Sequence, residues 1–253
     1  MSQLPETLPP TLRNVRALVF DLFGTCLDWH TPLLSSLKTA HPEVSEEEWS
    51  GFAFAWRTAF LVQTATEGRK NTFRPAKELY SDGLDDVLKG AGKAGEVASK
   101  WSDEQRGAAS AAWSQMIPFE DTVAGVDLLR QNLTVIGLSN GSAQALVPMV
   151  CCKSAGLIFD LLLTSDLIGT YKPSPKMYAA AITALGLKPD EVAMVAAHQW
   201  DLDAARKEGL RTIYVERWTE DRGVDRDALR DQFDLYINEG GVVELARRFG
   251  VIL

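Results

Sequence analysis

The chain has 253 residues, of which 46% are hydrophobic and 24% charged, a composition typical of an ordinary soluble globular protein. Its formal net charge of -8 argues against nucleic acid or an anionic membrane surface as a partner, because both require a basic face. No apolar stretch reaches the length of a membrane span, and MSQLPETLPP lacks the apolar core of a secretion signal. Three cysteines cannot all pair, so we expect them to be reduced in a cytoplasmic protein.

The first predicted strand ends at a carboxylate. Residues 17–20 are four consecutive apolar residues, followed by Asp21, Gly24 and Thr25. Such a run, bounded by a turn signal, predicts a strand buried on both faces of a parallel sheet. In open α/β sheets, ligands bind beyond the carboxyl ends of the strands. Asp21 is therefore a candidate functional group, although capping of the following turn is an equally good explanation from this context alone.

Between residues 31 and 117 the pattern is helical. Ser45 and Glu48 form a capping-box signal that opens a helix rich in aromatic residues. Further helices are predicted near 73–90 and 103–116, separated by a glycine-rich segment. The segment 31–117 is accordingly predicted to be a helical cap domain inserted after the first strand.

From residue 118 onward, strands and helices alternate with short connections. This alternation predicts a parallel sheet with right-handed crossovers, so residues 14–30 and 118–253 are expected to form one α/β core with a Rossmann-like sheet flanked by helices. The predicted strands are 133–138, 159–163, 192–197 and 212–215, the predicted helices are 121–131, 142–153, 175–185 and 201–209, and one more strand and helix are expected within 234–249.

Four ordered motifs resemble those of the haloacid dehalogenase (HAD) superfamily. They are the Asp-Leu-Phe-Gly-Thr stretch that starts at Asp21, then Leu138-Ser139-Asn140, Tyr171-Lys172-Pro173, and Ala197-His198-Gln199-Trp200-Asp201. Within the superfamily the chain is most similar to the type II 2-haloacid dehalogenases. The resemblance implies a HAD-like core with a helical cap and a small-molecule substrate, a short 2-haloalkanoic acid. It further implies hydrolysis to the 2-hydroxy acid through an ester on Asp21, without a cofactor, and a homodimer.

Phe23 favours dehalogenation over phosphate transfer. Phosphatases of this superfamily carry an acid at this position that protonates the leaving oxygen, whereas the dehalogenases carry an aromatic residue. A halide leaves without a proton, so lack of the acid harms phosphate transfer far more. One acidic position of the phosphatases' magnesium site corresponds to Ala196, which leaves Asp201, so no metal is expected. A magnesium-dependent phosphatase and a catalytically silent binding protein remain the alternatives.

The resemblance also assigns roles to three charged residues. Arg57 is expected to bind the substrate carboxylate through paired hydrogen bonds. Lys172 is expected to keep Asp21 ionised, and Asp201 to hold Lys172 and the water network. Solvent exposure is the ordinary alternative for a helical arginine and for a loop lysine.

The remaining candidates are neutral residues. Thr25 belongs to the nucleophile motif. Ser139 and Asn140 could donate hydrogen bonds to the nucleophile or to a bound carboxylate, or could cap the helix that follows. Tyr178 either lines the site or packs in the core. Trp200 is expected to form one wall of the pocket.

His198 departs from the best-known dehalogenases, which carry an asparagine there and a serine at the position of Ala196. Histidine can accept a proton near neutral pH, which an amide cannot. We expect Asp28, seven residues after the nucleophile, to orient the imidazole, so that the pair activates the hydrolytic water. Activation by Asp201, or a purely structural histidine, is the alternative.

Overall fold

The computed structural model describes residues 8–90, 92–151 and 156–251. Its central feature is a six-stranded parallel sheet, which confirms the predicted fold class. The strands are β1 (Ala17–Phe20), β2 (Leu27–Asp28), β3 (Ile117–Pro118), β4 (Thr134–Ser139), β5 (Leu161–Thr164), β6 (Val192–Ala196), β7 (Arg211–Val215) and β8 (Leu235–Ile237). The order across the sheet is β5-β4-β1-β6-β7-β8, and β2 pairs antiparallel with β3.

Helices flank the sheet and fill the segment between β2 and β3. They are α1 (His30–Ala40), α2 (Glu46–Lys70), α3 (Ala76–Leu88), α4 (Lys93–Ala98), α5 (Asp103–Ala111), α6 (Glu120–Leu129), α7 (Ala143–Val150), α8 (Ser165–Ile168), α9 (Pro175–Leu185), α10 (Gln199–Lys207), α11 (Arg226–Arg230) and α12 (Gly241–Arg248). Within the described ranges, no helix combines the length and the hydropathy that a bilayer crossing requires.

Strand β1 lies at the middle of the sheet, between β4 and β6. Its four residues are fully buried, as the apolar run predicted. After β1 the chain builds β4 and β5 on one side and then β6, β7 and β8 on the other. Such a reversal of strand order opens a crevice at the carboxyl ends of the strands beside it. The ends of β1, β4 and β6 therefore define where the functional groups meet.

The segment between β2 and β3 contains helices α1 to α5, and we call it the helical insert. The capping box at its second helix is present: Ser45 Oγ accepts from the Glu48 N–H, and the Glu48 side chain accepts from the Ser45 N–H. Large aromatic residues form its interior, and Trp49, Trp56 and Trp113 are almost completely buried. The division into a core domain and a cap domain at residues 31 and 117 stays a prediction.

Several short elements could not be predicted from the sequence. Strands β2 and β3 have two residues each, too few for an alternating pattern, and their pairing closes the base of the helical insert. Helices α4, α8 and α11 have six, four and five residues, too short for a helical period to emerge. The helix predicted at 142–153 has Val150 as its last residue and Cys151 as its C-cap. Residues 152–155 lie outside the described ranges.

Gly68 of α2 provides a test of the packing between the helical insert and the loop that carries Lys172. A Cβ at this position would lie 2.5 Å from the backbone oxygen of Tyr171 and 3.0 Å from that of Lys172. Although alanine is the better helix former, Gly68→Ala should lower the free energy of unfolding by roughly 1–3 kcal/mol, because the backbone must shift to relieve the overlap. Urea denaturation measures this change.

Gly51, on the same helix, is the matched control. A Cβ there would meet no atom within 4 Å. Gly51→Ala should therefore raise the free energy of unfolding by about 0.5–1 kcal/mol, the difference in helix propensity. Equal stabilities of the two alanine variants would show that α2 does not press against the lysine loop.

Candidate active site

Asp21 lies directly beyond β1 and is 5% exposed. Its backbone N–H donates to the Val195 carbonyl oxygen of β6 at 2.9 Å, which fixes it at the sheet edge. Its Oδ2 accepts a hydrogen bond of 2.7 Å from Thr25 Oγ1, and its Oδ1 accepts one of 2.6 Å from Lys172 Nζ. Burial alone would raise the pKa of Asp21, but the charge of Lys172 and the interactions with His198 hold that pKa well below its ordinary value. The carboxylate is thus ionised and desolvated.

Lys172 is 1% exposed and bridges two carboxylates. Besides Asp21, its Nζ donates to Asp201 Oδ2 at 2.6 Å. The other oxygen of Asp201 accepts from the Tyr178 hydroxyl at 2.6 Å. Burial would lower the pKa of Lys172, but the charges of Asp201 and Asp21 raise it above the ordinary value. Tyr178 therefore contacts the site through Asp201, on the side away from the cavity.

The lysine loop is held by Asn140, at the carboxyl end of β4. The Lys172 N–H donates to Asn140 Oδ1 at 2.7 Å, and Asn140 Nδ2 donates to the Lys172 carbonyl oxygen at 3.3 Å. Ser139 Oγ accepts from the Gly141 N–H at 3.0 Å. Neither side chain is hydrogen-bonded to Asp21, and the cap of α7 is supplied by Ser142. Asn140 acts here through the backbone of Lys172, which the sequence did not reveal.

His198 lies between two carboxylates at the carboxyl end of β6. Its Nδ1 is 3.2 Å from Asp21 Oδ2, and its Nε2 is hydrogen-bonded to Glu220 Oε2 at 2.7 Å. Ionised carboxylates only accept hydrogen bonds, so the bond to Glu220 places a proton on Nε2, whereas Nδ1 lies near Asp21 without a hydrogen bond. Burial would lower the pKa of His198, but the charge of Glu220 and the interactions with Asp21 raise it to about 10. The raised pKa predicts a cationic imidazole in the resting site.

The expected pairing of His198 with Asp28 is wrong. Asp28 Oδ1 accepts from the backbone N–H groups of His30 at 2.9 Å and Thr31 at 3.1 Å. It therefore satisfies the free N–H groups at the start of α1, the usual role of an acid just before a helix. Both ring nitrogens of His198 face other carboxylates, which leaves no position for Asp28.

Glu220 is the carboxylate that is hydrogen-bonded to His198, and it was not predicted from the sequence. It lies in the loop after β7 and is 4% exposed. Its Oε1 accepts a 2.6 Å hydrogen bond from the indole N–H of Trp29. Burial would raise the pKa of Glu220, but the charge and hydrogen bond of His198 lower it to about 2. The one signal in the sequence for a site residue was its position after a predicted strand. The carboxyl ends of neighbouring parallel strands meet at one edge of the sheet, where the site lies.

A narrow, largely enclosed cavity brings these groups together beneath the helical insert. Phe23 and Trp200 line it, as expected, together with His198 and Asp21. Tyr178, Thr25 and Asp28 lie outside its lining. The complete lining is Asp21, Phe23, Arg57, Phe60, Leu61, Ser139, Asn140, Gly141, Lys172, His198 and Trp200. Larger depressions on the surface, such as the open one near Arg16 and Thr134 at the amino ends of β1 and β4, contain none of these groups.

Arg57 brings a buried cation to the cavity from α2. Its side chain is 4% exposed, Nη2 donates to the Phe23 carbonyl oxygen at 3.3 Å, and Nε is buried without a hydrogen-bond partner. The guanidinium carbon lies 5.6 Å from the centre of the Phe23 ring. An unsatisfied buried guanidinium is costly unless a ligand supplies acceptors, and a carboxylate matches its geometry.

The donor set between the acids does not resemble a metal site. A lysine ammonium, itself a cation, occupies the space between Asp21 and Asp201. Among residues 8–90, 92–151 and 156–251, no group of three or more histidine, cysteine or acidic side chains is arranged to hold a metal ion. The expectation of a reaction without a metal stays a prediction, which EDTA tests below.

The fold and the site together define the class of protein to which the chain belongs. A family model described as haloacid dehalogenase-like hydrolase matches residues 15–209, and the chain belongs to this family. The resemblance seen in the four motifs is thereby confirmed.

Individual relatives point to a narrower group. The chain is 28% identical over 206 residues to an (S)-2-haloacid dehalogenase of Pseudomonas sp. (strain YL), covering 80% of this chain and 83% of the relative. It is 24% identical over 208 residues to (S)-2-haloacid dehalogenase 4A of Burkholderia cepacia, covering 81% and 84%. The crystal structure of the L-2-haloacid dehalogenase PA0810 superposes with a TM-score of 0.77 at 28% identity, over 94% of this chain and 100% of that one. The defluorinating L-2-haloacid dehalogenase Rha0230 superposes with a TM-score of 0.76 at 28% identity, over 97% and 99%.

The protonation of His198 can be measured directly. We expect its ring nitrogens to titrate near the value of about 10 and to remain protonated at pH 8. Glu220→Gln should lower the pKa of His198 toward the ordinary value of about 6.5, because the charge of Glu220 is a principal cause of the rise. Correlation of ring protons with ring nitrogens by NMR follows the titration, and His198→Asn identifies the signals.

Asp28→Asn is the control for this measurement. It removes an acid that caps α1 and does not contact His198, so the pKa of His198 should stay in place. A drop in the Asp28 variant equal to that in the Glu220 variant, or a neutral ring in the wild type at pH 7, would contradict the assignment.

Proposed function

We propose that this protein hydrolyses short 2-haloalkanoic acids to 2-hydroxy acids. The observation that carries the proposal is that a buried, ionised carboxylate, Asp21, and a buried guanidinium with an unsatisfied N–H, Arg57, line one narrow cavity. The relatives named as 2-haloacid dehalogenases support it. Because those in the sequence comparison are named for the (S) enantiomer, we infer an (S) substrate here.

The first step is displacement at carbon. The substrate carboxylate binds Arg57, which places the α-carbon before Asp21. A carboxylate oxygen of Asp21 attacks that carbon, the carbon–halogen bond breaks, and the halide takes the electron pair. An ester forms with inversion. Phe23 lies in the cavity wall at the position where the phosphatases of the family carry the acid that protonates the leaving group, which suits a halide and not a phosphate ester.

The second step is hydrolysis of the ester. Esterification removes the charge of Asp21, which is one cause of the raised pKa of His198, so that pKa falls and Nδ1 releases its proton to solvent. The neutral nitrogen then accepts a proton from water, and the resulting hydroxide attacks the carbonyl carbon of the ester. The bond from this carbon to the substrate oxygen then breaks, and the departing oxygen takes the proton of the added hydroxide, so that the 2-hydroxy acid leaves with Asp21 as a carboxylate and His198 as an imidazolium. The cycle gives up one proton and one halide per turnover, as the overall reaction requires.

His198 is the better candidate for activating this water than Asp201. It lines the cavity and faces Asp21, whereas Asp201 is fully buried and both of its oxygens accept hydrogen bonds, from Lys172 and Tyr178. Glu220 holds the ring from the other side. This assignment replaces the expected pair of His198 and Asp28.

Halide release in the presence of EDTA tests the proposed reaction. We expect the wild type to release halide and 2-hydroxy acid from (S)-2-chloropropionate, and Asp21→Asn to lose this activity, because an amide cannot form the ester. Bromoacetate and fluoroacetate extend the series, the latter because one structural relative is titled defluorinating. In labelled water, a single turnover should place the heavy oxygen in Asp21, as mass spectrometry of its peptide would reveal.

Asp203→Asn is the matched control, since Asp203 accepts from Gln232 and lies outside the cavity lining. It should retain activity. Magnesium-dependent phosphate release from p-nitrophenyl phosphate would instead support the phosphatase alternative. Absence of turnover and of label from Asp21 would support a silent binding protein.

The pH dependence of ester hydrolysis tests the role of His198. The neutral ring is the active form in the second step, so this rate should rise with pH and level off above the pKa of His198 in the esterified enzyme, which lies below about 10. His198→Asn should slow this step by about 10²–10⁴-fold and remove the rise. Rapid quenching followed by mass spectrometry measures the ester. An unchanged pH profile in His198→Asn would assign the water to another group.

Two further expectations belong to this proposal. A cytoplasmic location agrees with the cysteine content, and a homodimer is expected from the resemblance to relatives. Sedimentation of the purified chain tests the second.

A further inference from the structure

Trp29 contacts two oppositely charged groups of the site at once. It follows β2 and is 1% exposed. Its indole N–H donates to Glu220 Oε1 at 2.6 Å, while the guanidinium carbon of Arg57 lies 5.8 Å from the centre of its ring. The edge of one side chain therefore holds an anion, and its face lies against a cation.

Arg57 and Glu220 would otherwise be natural partners. Both are almost fully buried, and the charge of Arg57 contributes to the low pKa of Glu220, so the two groups interact across the site. Nε of Arg57 has no hydrogen-bond partner. Guanidinium and carboxylate groups form strong paired hydrogen bonds in a low-dielectric interior. A direct ion pair would draw Glu220 away from His198 and occupy the donors that the substrate carboxylate needs.

The surroundings of Trp29 prevent it from moving aside. Its ring stacks on Trp113 with centroids 5.5 Å apart, and it meets the Phe54 ring edge-on at 5.2 Å. On the other side, Glu220 packs against Gly24, whose φ is +83°, and a side chain at that position would overlap the carboxylate. The indole is consequently held in place by its neighbours, and the carboxylate of Glu220 lies between it and Gly24.

We propose that Trp29 is a positioning residue that separates these charges, holding Glu220 on His198 and leaving Arg57 free for the substrate carboxylate. The inference rests on the proposed dehalogenation. It adds that one hydrogen bond, from an indole that touches no substrate, sets both substrate affinity and the rate of ester hydrolysis.

Trp29→Phe removes the N–H and keeps an aromatic ring. We expect KM for (S)-2-chloropropionate to rise at least fivefold, because Glu220 then pairs with Arg57. We also expect kcat to fall at least tenfold, with the ester accumulating, because the imidazole of His198 loses the hydrogen bond that orients it toward the ester. Trp113→Phe is the matched control: Trp113 belongs to the same aromatic stack, but its Nε1 has no hydrogen-bond partner. It should leave both constants within twofold of the wild type.

The Glu220→Gln variant, used as a second background, distinguishes a loss of positioning from a packing defect. In Glu220→Gln the competing negative charge is absent, so adding Trp29→Phe should leave KM within twofold of the single Glu220 variant. A packing defect would raise KM equally in both backgrounds, and that result would overturn the inference. Equal effects of the two phenylalanine variants would also overturn it. If Trp29→Phe does not fold, Trp29→Met removes the same N–H and takes its place.

The outcome is distinguishable from failure of the proposed function. If the wild type releases no halide from any haloacid, dehalogenation is refuted. The NMR titration of His198 then tests the positioning role of Trp29 without a measurement of activity. A shift of that titration in Trp29→Phe and none in Trp113→Phe supports the positioning role, and equal titrations refute it.

Discussion

The structure depends on alternation of charge among side chains that have almost no contact with water. Lys172 lies between two carboxylates, and His198 lies between one of these and a third. A buried charge without a partner is strongly destabilising, so none of these groups could be kept ionised alone. The buried acids of the site are Asp21, Asp201 and Glu220, and its buried cations are Arg57, Lys172 and His198. Asp21 remains ionised because Lys172 and His198 lie beside it.

The same balance extends to the proposed reaction. A bound haloacid adds one negative charge, and formation of the ester converts Asp21 to a neutral group while a halide is formed. Departure of the halide removes the added charge, and the substrate carboxylate then carries the negative charge that Asp21 has lost. An excess negative charge in a low-dielectric cavity is unfavourable, so expulsion of the halide is favoured by the same arrangement that keeps the nucleophile ionised.

Much of this architecture could be predicted because it follows from long patterns. Apolar runs and helical periods identified the strands of the core, and Asp21, Lys172 and Asp201 lie in motifs whose order matched a known family. Pairings between distant residues could not be read in this way. Glu220 follows Asp21 by almost two hundred residues, and its partnership with His198 arises from the adjacency of β6 and β7 in the sheet. Asp28 is near Asp21 in sequence, but its carboxylate accepts hydrogen bonds from the free N–H groups at the start of α1.

Helix α2 has a mechanical consequence for how a substrate reaches the cavity. Arg57 and Gly68 are eleven residues apart on this helix, about 16 Å along its axis. Under the proposed function, Arg57 in the middle of the helix binds the substrate's carboxylate, while Gly68 near its carboxyl end lies against the backbone of the loop that carries Lys172. In the proposed reaction, one helix thus joins the residue that binds the substrate to the loop that carries the counter-ion of the nucleophile. Tilting α2 to admit a molecule would also loosen Lys172, so an open cavity would have a less firmly held Asp21, and closure would restore both together.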